Sequence, residues 1–246
     1  MNLQPNDTLA AELTTAIQGG DLVALERLLA QHPGIAKARL ANGKGASRTP
    51  LHAATDWPGY FPNGPEVVQM LIAAGADPNA PMMGARHSET PLHWAASSDD
   101  VEVAAALIDN GADIEASGAS IAGGTPLDDA VGYGCWRVAR LLVERGARVD
   151  KLWHAAALGM TARVEAMLDG AHRPTAEEIS DAFWQACHGG QRRTAELLLA
   201  RGARLDWVPF HNKQTPLEIA GSIDTGREAL IGWLREQATK VVSEHP

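Results

Sequence analysis

Only two cysteines occur in the 246 residues, Cys135 and Cys187, and they are not paired as CxxC. That excludes a disulfide framework and a paired-cysteine zinc cluster. Positive charge is also short: 21 Lys and Arg face 30 Asp and Glu, for a net charge of −9. Phosphate recognition rests on a basic patch, so neither a nucleic acid nor an anionic membrane surface is expected as a partner. No run approaches the ~20 apolar residues of a membrane span. Met1 to Ala11 lacks a basic start followed by an apolar run, so no secretion signal is read there. There is no GxxxxGK[ST] loop, no HExxH and no GxSxG elbow. Gly43-Lys44-Gly45 and Gly123-Gly124 read as turns. No cofactor and no metal is expected; His154, His188 and Asp129 could meet a zinc ion only from separate segments without diagnostic spacing. Two Tyr and three Phe are fewer than the seven Trp. What is present, 45% hydrophobic and 21% charged residues, suits a folded, soluble chain in a reducing, cytoplasmic setting.

The most informative feature is a repeat. Thr49-Pro50-Leu51-His52 recurs as Thr90-Pro91-Leu92-His93, Thr125-Pro126-Leu127-Asp128 and Thr215-Pro216-Leu217-Glu218. The first three copies start 41 and 35 residues apart. Threonine before proline suits a helix start, because the hydroxyl caps free N–H groups and proline gives up only an N–H that would have no partner. Apolar-periodic runs follow and end in Gly-Ala, at Gly75, Gly111, Gly146 and Gly202, as left-handed helix C-caps require. Leu13 to Ala30 reads as a first unit without the opening motif, and segments at 150–156 and 181–187 align with it in weaker form.

TPLHAA, TPLHWAA, GADPNA and GADIEA resemble the consensus of the ankyrin-repeat family. The resemblance spans about seven units and nearly the whole chain. It implies an all-α solenoid of helix-turn-helix repeats with hairpin fingers, forming one array over 1–246. The first repeat would cover about 8–44 and a C-terminal capping repeat about 215–240. Thr225-Gly226-Arg227-Glu228 is a capping-box start for the last helix, running toward Lys240. The resemblance further implies that His52 and His93 hold their threonines structurally, with Asp128 in an unassigned role. It also implies that partners meet a concave face built from the first helices and fingers.

Three departures make the middle irregular. Residues 56–64 insert Trp57, Tyr60 and Phe61 with two prolines, either a loop packed on its own repeat or a lid. Arg148-Val149-Asp150 stands where a whole finger is expected. Thr175-Ala176-Glu177-Glu178 is a capping box that predicts an early, long helix reaching Cys187. Asp21, Asp99 and Asp100 read as N-caps of the second helices of their repeats.

The position after the motif histidine is Ala53, Trp94, Asp129, His154 or Gln185, and one turn further lie Asp56, Ser97, Gly132, Ala157 and His188. Both positions are expected to face the groove. Trp153, Trp184 and Trp233 are expected to pack; Trp136 is left open. Trp57, Trp94 and Tyr133 are the expected ligand contacts, with Trp207 and Phe210 in a far finger. The leading function is a binding module whose acidic, Trp-rich groove holds a protein segment or a small molecule. The alternative is an enzyme in which Asp129 and His154 perform general acid–base chemistry.

Overall fold

The computed structural model describes residues 1–210, 212–222 and 227–244. Fourteen α-helices lie among the described residues, in seven consecutive pairs. The chain divides into two compact units, Met1–Arg148 and Val149–Pro246. Among the described residues no helix is long and apolar enough to cross a membrane.

The first unit holds four pairs: α1 (Thr8–Gly19) and α2 (Leu22–Gln31), α3 (Pro50–Ala54) and α4 (Gly64–Ala73), α5 (Pro91–Ser97) and α6 (Val101–Asp109), α7 (Pro126–Gly132) and α8 (Trp136–Glu144). A small sheet joins β1 (Asn2–Leu3), β2 (Arg39–Ala41) and β3 (Ser47–Arg48) in that order, with β1 parallel and β3 antiparallel to β2. Ser47 also bridges to Met83 of the next finger. Leu51, Leu71, Leu92, Leu107 and Leu127 are fully buried between the helix layers.

The second unit holds α9 (Leu152–Ala157) and α10 (Thr161–Leu168), α11 (Ala176–His188) and α12 (Arg192–Ala200), α13 (Pro216–Gly221) and α14 (Glu228–Glu244). Its core centres on Phe183, Trp184 and Leu198. Thr175 and Glu178 form the expected capping box, and α11 runs past Cys187. Thr225 and Gly226 of the other expected box, and His211 of the last finger, lie outside the described residues.

The motif histidines work as the resemblance implied. His52 Nδ1 accepts from the Thr49 amide at 3.2 Å and lies 2.8 Å from its hydroxyl, while Nε2 reaches the Glu89 carbonyl of the following repeat at 3.0 Å. One neutral tautomer satisfies both ends. His93 repeats the pattern on Thr90 and the Gly124 carbonyl. Asp128 keeps the local half, accepting from the Thr125 amide and hydroxyl at 2.8 and 3.0 Å. Trp184 keeps the other half: its indole N–H donates to the Gln214 carbonyl at 2.8 Å.

The four glycines at the helix ends adopt positive φ, Gly111 at +91°. A Cβ on Gly111 would meet nothing within 4 Å, so backbone strain alone opposes a side chain there. Gly111→Val is expected to destabilise by at least ~1 kcal/mol, read as a lowered denaturant midpoint.

Asp21 and Asp100 cap α2 and α6 as expected, accepting from the Ala24 and Val103 amides. Asp99 does not cap its own repeat. It takes φ +55°, and its Oδ1 accepts from the Arg137 and Val138 amides at 3.0 and 2.9 Å, capping α8 one repeat on. The left-handed turn aims its side chain across the repeat boundary. Asp99→Ala is therefore expected to cost about 1–2 kcal/mol, and hydrogen exchange should quicken at α8 rather than α6.

The missing finger is real: only residues 145–151 separate α8 from α9, against 74–90 between α4 and α5. Within the first unit the Arg148 amide and Nε both donate to Glu115, fastening the stub to the preceding finger.

Candidate functional site

The position after the motif histidine does not face outward as expected. Ala53 and Asp129 are fully buried in the first unit, as are His154 and Gln185 in the second. The first helices are short, alanine-rich and closely packed (α5 on α7, α9 on α11), so this position falls in the seam between neighbours. Only Trp94, the largest of the set, emerges half-exposed. One turn later Asp56, Ser97, Gly132 and His188 are half-exposed, whereas Ala157 is buried.

Five of the residues chosen from sequence nevertheless meet in the first unit. A cleft of about 200 Å³ is lined by Asp56, Trp57, Trp94, Ser97 and Tyr133, together with Thr55, Glu89 and Ser98. Trp57 and Tyr133 keep 81% and 54% of their surface in water. Asp56 is ion-paired with Arg48, whose guanidinium lies 5.8 Å from the centre of the Trp94 ring. The His52 ring meets Trp94 edge-on at 5.0 Å. The imidazole that caps the helix thus also braces the cleft wall.

Glu89 was not singled out from the sequence. It directly precedes the Thr90 cap, and its carbonyl is held by His52 while its carboxyl lines the cleft. The Asp129 side chain meets this carboxyl. Burial pushes the Glu89 carboxyl up, against the hydrogen bonds of the Trp94 indole, Asp129 and Ser120. Burial also raises Asp129, against donors from Ile121 and Ser120 and a nearby His93, with the charge of Glu89 adding to the rise. Asp129 Oδ1 accepts from the Ser120 hydroxyl at 2.9 Å and the Ile121 amide at 3.0 Å. A hydrogen bond between two carboxyls needs a proton on one of them.

Asp129→Asn keeps the acceptor and supplies an N–H for Glu89. A carboxyl raised in the folded state stabilises when protonated, and that contribution is lost as pH rises through its raised pKa. The neutral amide should therefore add about 1 kcal/mol at pH 7, a gain that disappears in acid. Denaturant midpoints at the two pH values read this directly; a loss at pH 7 would contradict it.

The 56–64 loop is fixed to repeats on either side of its own. Asn63 donates to the Gly20 carbonyl at 2.9 Å. The Tyr60 amide donates to Asp100 at 2.7 Å, its hydroxyl donates to the Asp99 carbonyl, and Arg137 donates to that hydroxyl at 3.1 Å. Tyr60 and the half-buried Phe61 therefore stand outside the cleft lining, and Trp57 alone represents the loop there.

The remaining chosen residues belong to the second unit. His154 is buried with its ring 4.1 Å from that of Trp153, and the His188 ring lies 5.2 Å from Trp184. Trp207 sits under Arg204 at 5.3 Å. It lines a separate cavity of about 800 Å³ with Trp153, Met167, Pro174, Pro209 and Phe210. Trp153 is thus half-exposed wall rather than core, in contrast to Trp184, with the Lys151 ammonium 5.8 Å from its ring centre. Trp233 packs as expected, with its ring 6.5 Å from Phe183. Asp129 and His154 fall in different units. Both cysteines are buried thiols; burial raises Cys135 to about 11 and Cys187 further, which makes them poor nucleophiles.

Residues 62–151 match the family model of ankyrin repeats, in three copies. The B-cell lymphoma 3 protein homolog of Mus musculus is 29% identical over 209 residues, covering 80% of this chain but 44% of that protein. The chain therefore spans less than half the length of that relative. Among solved structures, the ankyrin repeat domain of Bcl-3, described as a member of the IkappaB protein family, is 28% identical at a TM-score of 0.51 and covers 94% of this chain and 99% of that one. The human ASB11 ankyrin repeat domain shares the fold at a TM-score of 0.52 and 19% identity, over 90% of this chain and 96% of that one. The helix pairs that the Thr-Pro-Leu-His signature builds are shared with these domains: residues 62–151 are ankyrin repeats, and the chain has the fold of ankyrin repeat domains.

Proposed function

We propose that the protein is a protein-binding module that holds a segment of its partner in the first unit's cleft. The observation that carries this is the cleft's size and rim together. About 200 Å³ is below the ~300–1,000 Å³ of small-molecule sites and suits a single inserted side chain. Trp57 and Tyr133 leave wide apolar rings in water around it, the residue types that anchor protein interfaces. The similarity to repeat domains of Bcl-3 supports the class of activity without naming a partner.

Selection of random displayed peptides on the full chain tests the reading. Selected peptides should bind a Trp57→Ala/Trp94→Ala double variant at least tenfold more weakly than the wild type. Equal binding to both proteins would place recognition elsewhere.

A second reading has its own observation. The second unit's cavity, about 800 Å³, falls in the small-molecule range, and the buried Trp207 indole N–H on its wall has no partner among the described residues. A fragment screen whose hits are lost in Trp207→Phe, which removes the N–H, would support it; hits bound equally by that variant would not.

A further inference from the structure

We propose that the side chain this cleft takes from its partner is an arginine, with its guanidinium against Glu89 and Asp129 behind. The inference rests on the protein-binding reading above and adds the chemistry of the anchor.

The cleft wall is poor in free donors. The hydroxyl protons of Thr55, Ser97 and Ser98 are all directed inward. Thr55 donates to the Leu51 and His52 carbonyls, Ser97 to the His93 carbonyl at 2.8 Å, and Ser98 to the Trp94 carbonyl at 3.0 Å. Ser120 spends its proton on Asp129, so the Tyr133 hydroxyl, 2.9 Å from the Ser120 oxygen, must donate to it. The Trp94 indole N–H is used on Glu89. Apart from the Trp57 indole at the rim, the side chains lining the cleft offer a ligand lone pairs and no protons. A group that matches such a wall is rich in donors and has no acceptor, and guanidinium has five N–H groups and none to accept.

The wall's charge is unbalanced as well. Asp56 already has its cation in Arg48. Glu89, half-buried on the cleft wall, and the fully buried Asp129 behind it have no ion-pair partner among the described residues. A carboxyl partly withdrawn from water without a cation is costly, and Glu89 carries that cost on the wall of an open cleft. The molecule already contains the same pattern. Arg48 lies over the Trp94 ring while paired to a carboxylate, the combination an incoming arginine would find between the Trp rings and Glu89.

The display-selected peptides are the probe. Those that depend on Trp57 and Trp94 should share an arginine, and replacing it by citrulline, its neutral isostere, should weaken binding to the wild type at least tenfold. Glu89→Gln should weaken the arginine peptide comparably. Citrulline and Glu89→Gln together should cost little more than either alone. The citrulline comparison uses unaltered protein, so it holds whatever Glu89→Gln does to folding. Trp-dependent peptides that tolerate both citrulline and Glu89→Gln would overturn the arginine anchor and leave the cleft as the binding site. Peptides indifferent to Trp57 and Trp94 would overturn both.

Discussion

His52→Ala should cost about 4 kcal/mol of unfolding free energy, the largest loss expected from a single side chain in the first unit. The ring is fully buried, so its removal opens a cavity. It also strands the Thr49 amide and the Glu89 carbonyl, which it bonds at 3.2 and 3.0 Å. Each stranded buried group costs about 1–3 kcal/mol, and the lost packing adds to that. Burial lowers the His52 pKa from 6.5 to about 4, so the unfolded chain binds the extra proton first on acidification. Stability supplied by the neutral ring is therefore intact at pH 7 and lost as pH falls from about 6.5 to about 4, in total roughly 3 kcal/mol. Glu89 and Asp129 run the other way, gaining stability as they take up protons. Subtracting the variant's pH profile from that of the wild type isolates the histidine. A loss under 1 kcal/mol, or parallel pH profiles, would show that the ring does not join the two repeats.

Gly189→Ala should destabilise the second unit by about 3 kcal/mol without any conformational restriction at that residue. Its φ of −77° suits alanine. The obstacle is contact: a Cβ there would stand 2.0 Å from the Ala157 carbonyl oxygen and 2.9 Å from its carbon. Both atoms are backbone, at the end of α9 where it lies against α11, so relief requires moving a helix rather than a side chain. Overpacking of this kind costs ~1–3 kcal/mol and more where backbone must yield. Denaturant unfolding gives the magnitude, and hydrogen exchange should quicken at α9 and α11 first. An unchanged midpoint would mean that the two helices separate freely.

The repeat was legible because each of its signals is local. Thr49, Thr90 and Thr215 cap the helices they precede, and Gly111 ends its helix with the left-handed residue that a cap needs. The cleft was legible in part. Trp94, Asp56 and Ser97 share a helix face or its continuation, which spacing reveals. Asp129 lay on the same predicted strip, yet the packing of neighbouring first helices turned that strip inward. Nothing in a single repeat states how closely its neighbour approaches. Glu89 escaped because it stands just before the cap, a position with no helical periodicity. Arg48 and Gly124 hold the same place ahead of Thr49 and Thr125, and extending the alignment by one residue would have shown a charge there twice. Asp99 escaped because its short-range reading as a cap is chemically right. Only the left-handed turn sends that cap to the next repeat.

Recognition by the cleft of the first unit can be read in one spectrum, because the chain has seven tryptophans. Each indole N–H of the ¹⁵N-labelled full chain gives its own NMR resonance, assigned by single Trp→Phe variants. On titration with a display-selected peptide, the indoles of Trp57 and Trp94 should shift while those of Trp153, Trp184, Trp207 and Trp233 hold their positions. Shifts confined to Trp153 and Trp207, with Trp57 and Trp94 unmoved, would contradict the account and move the binding site to the second unit.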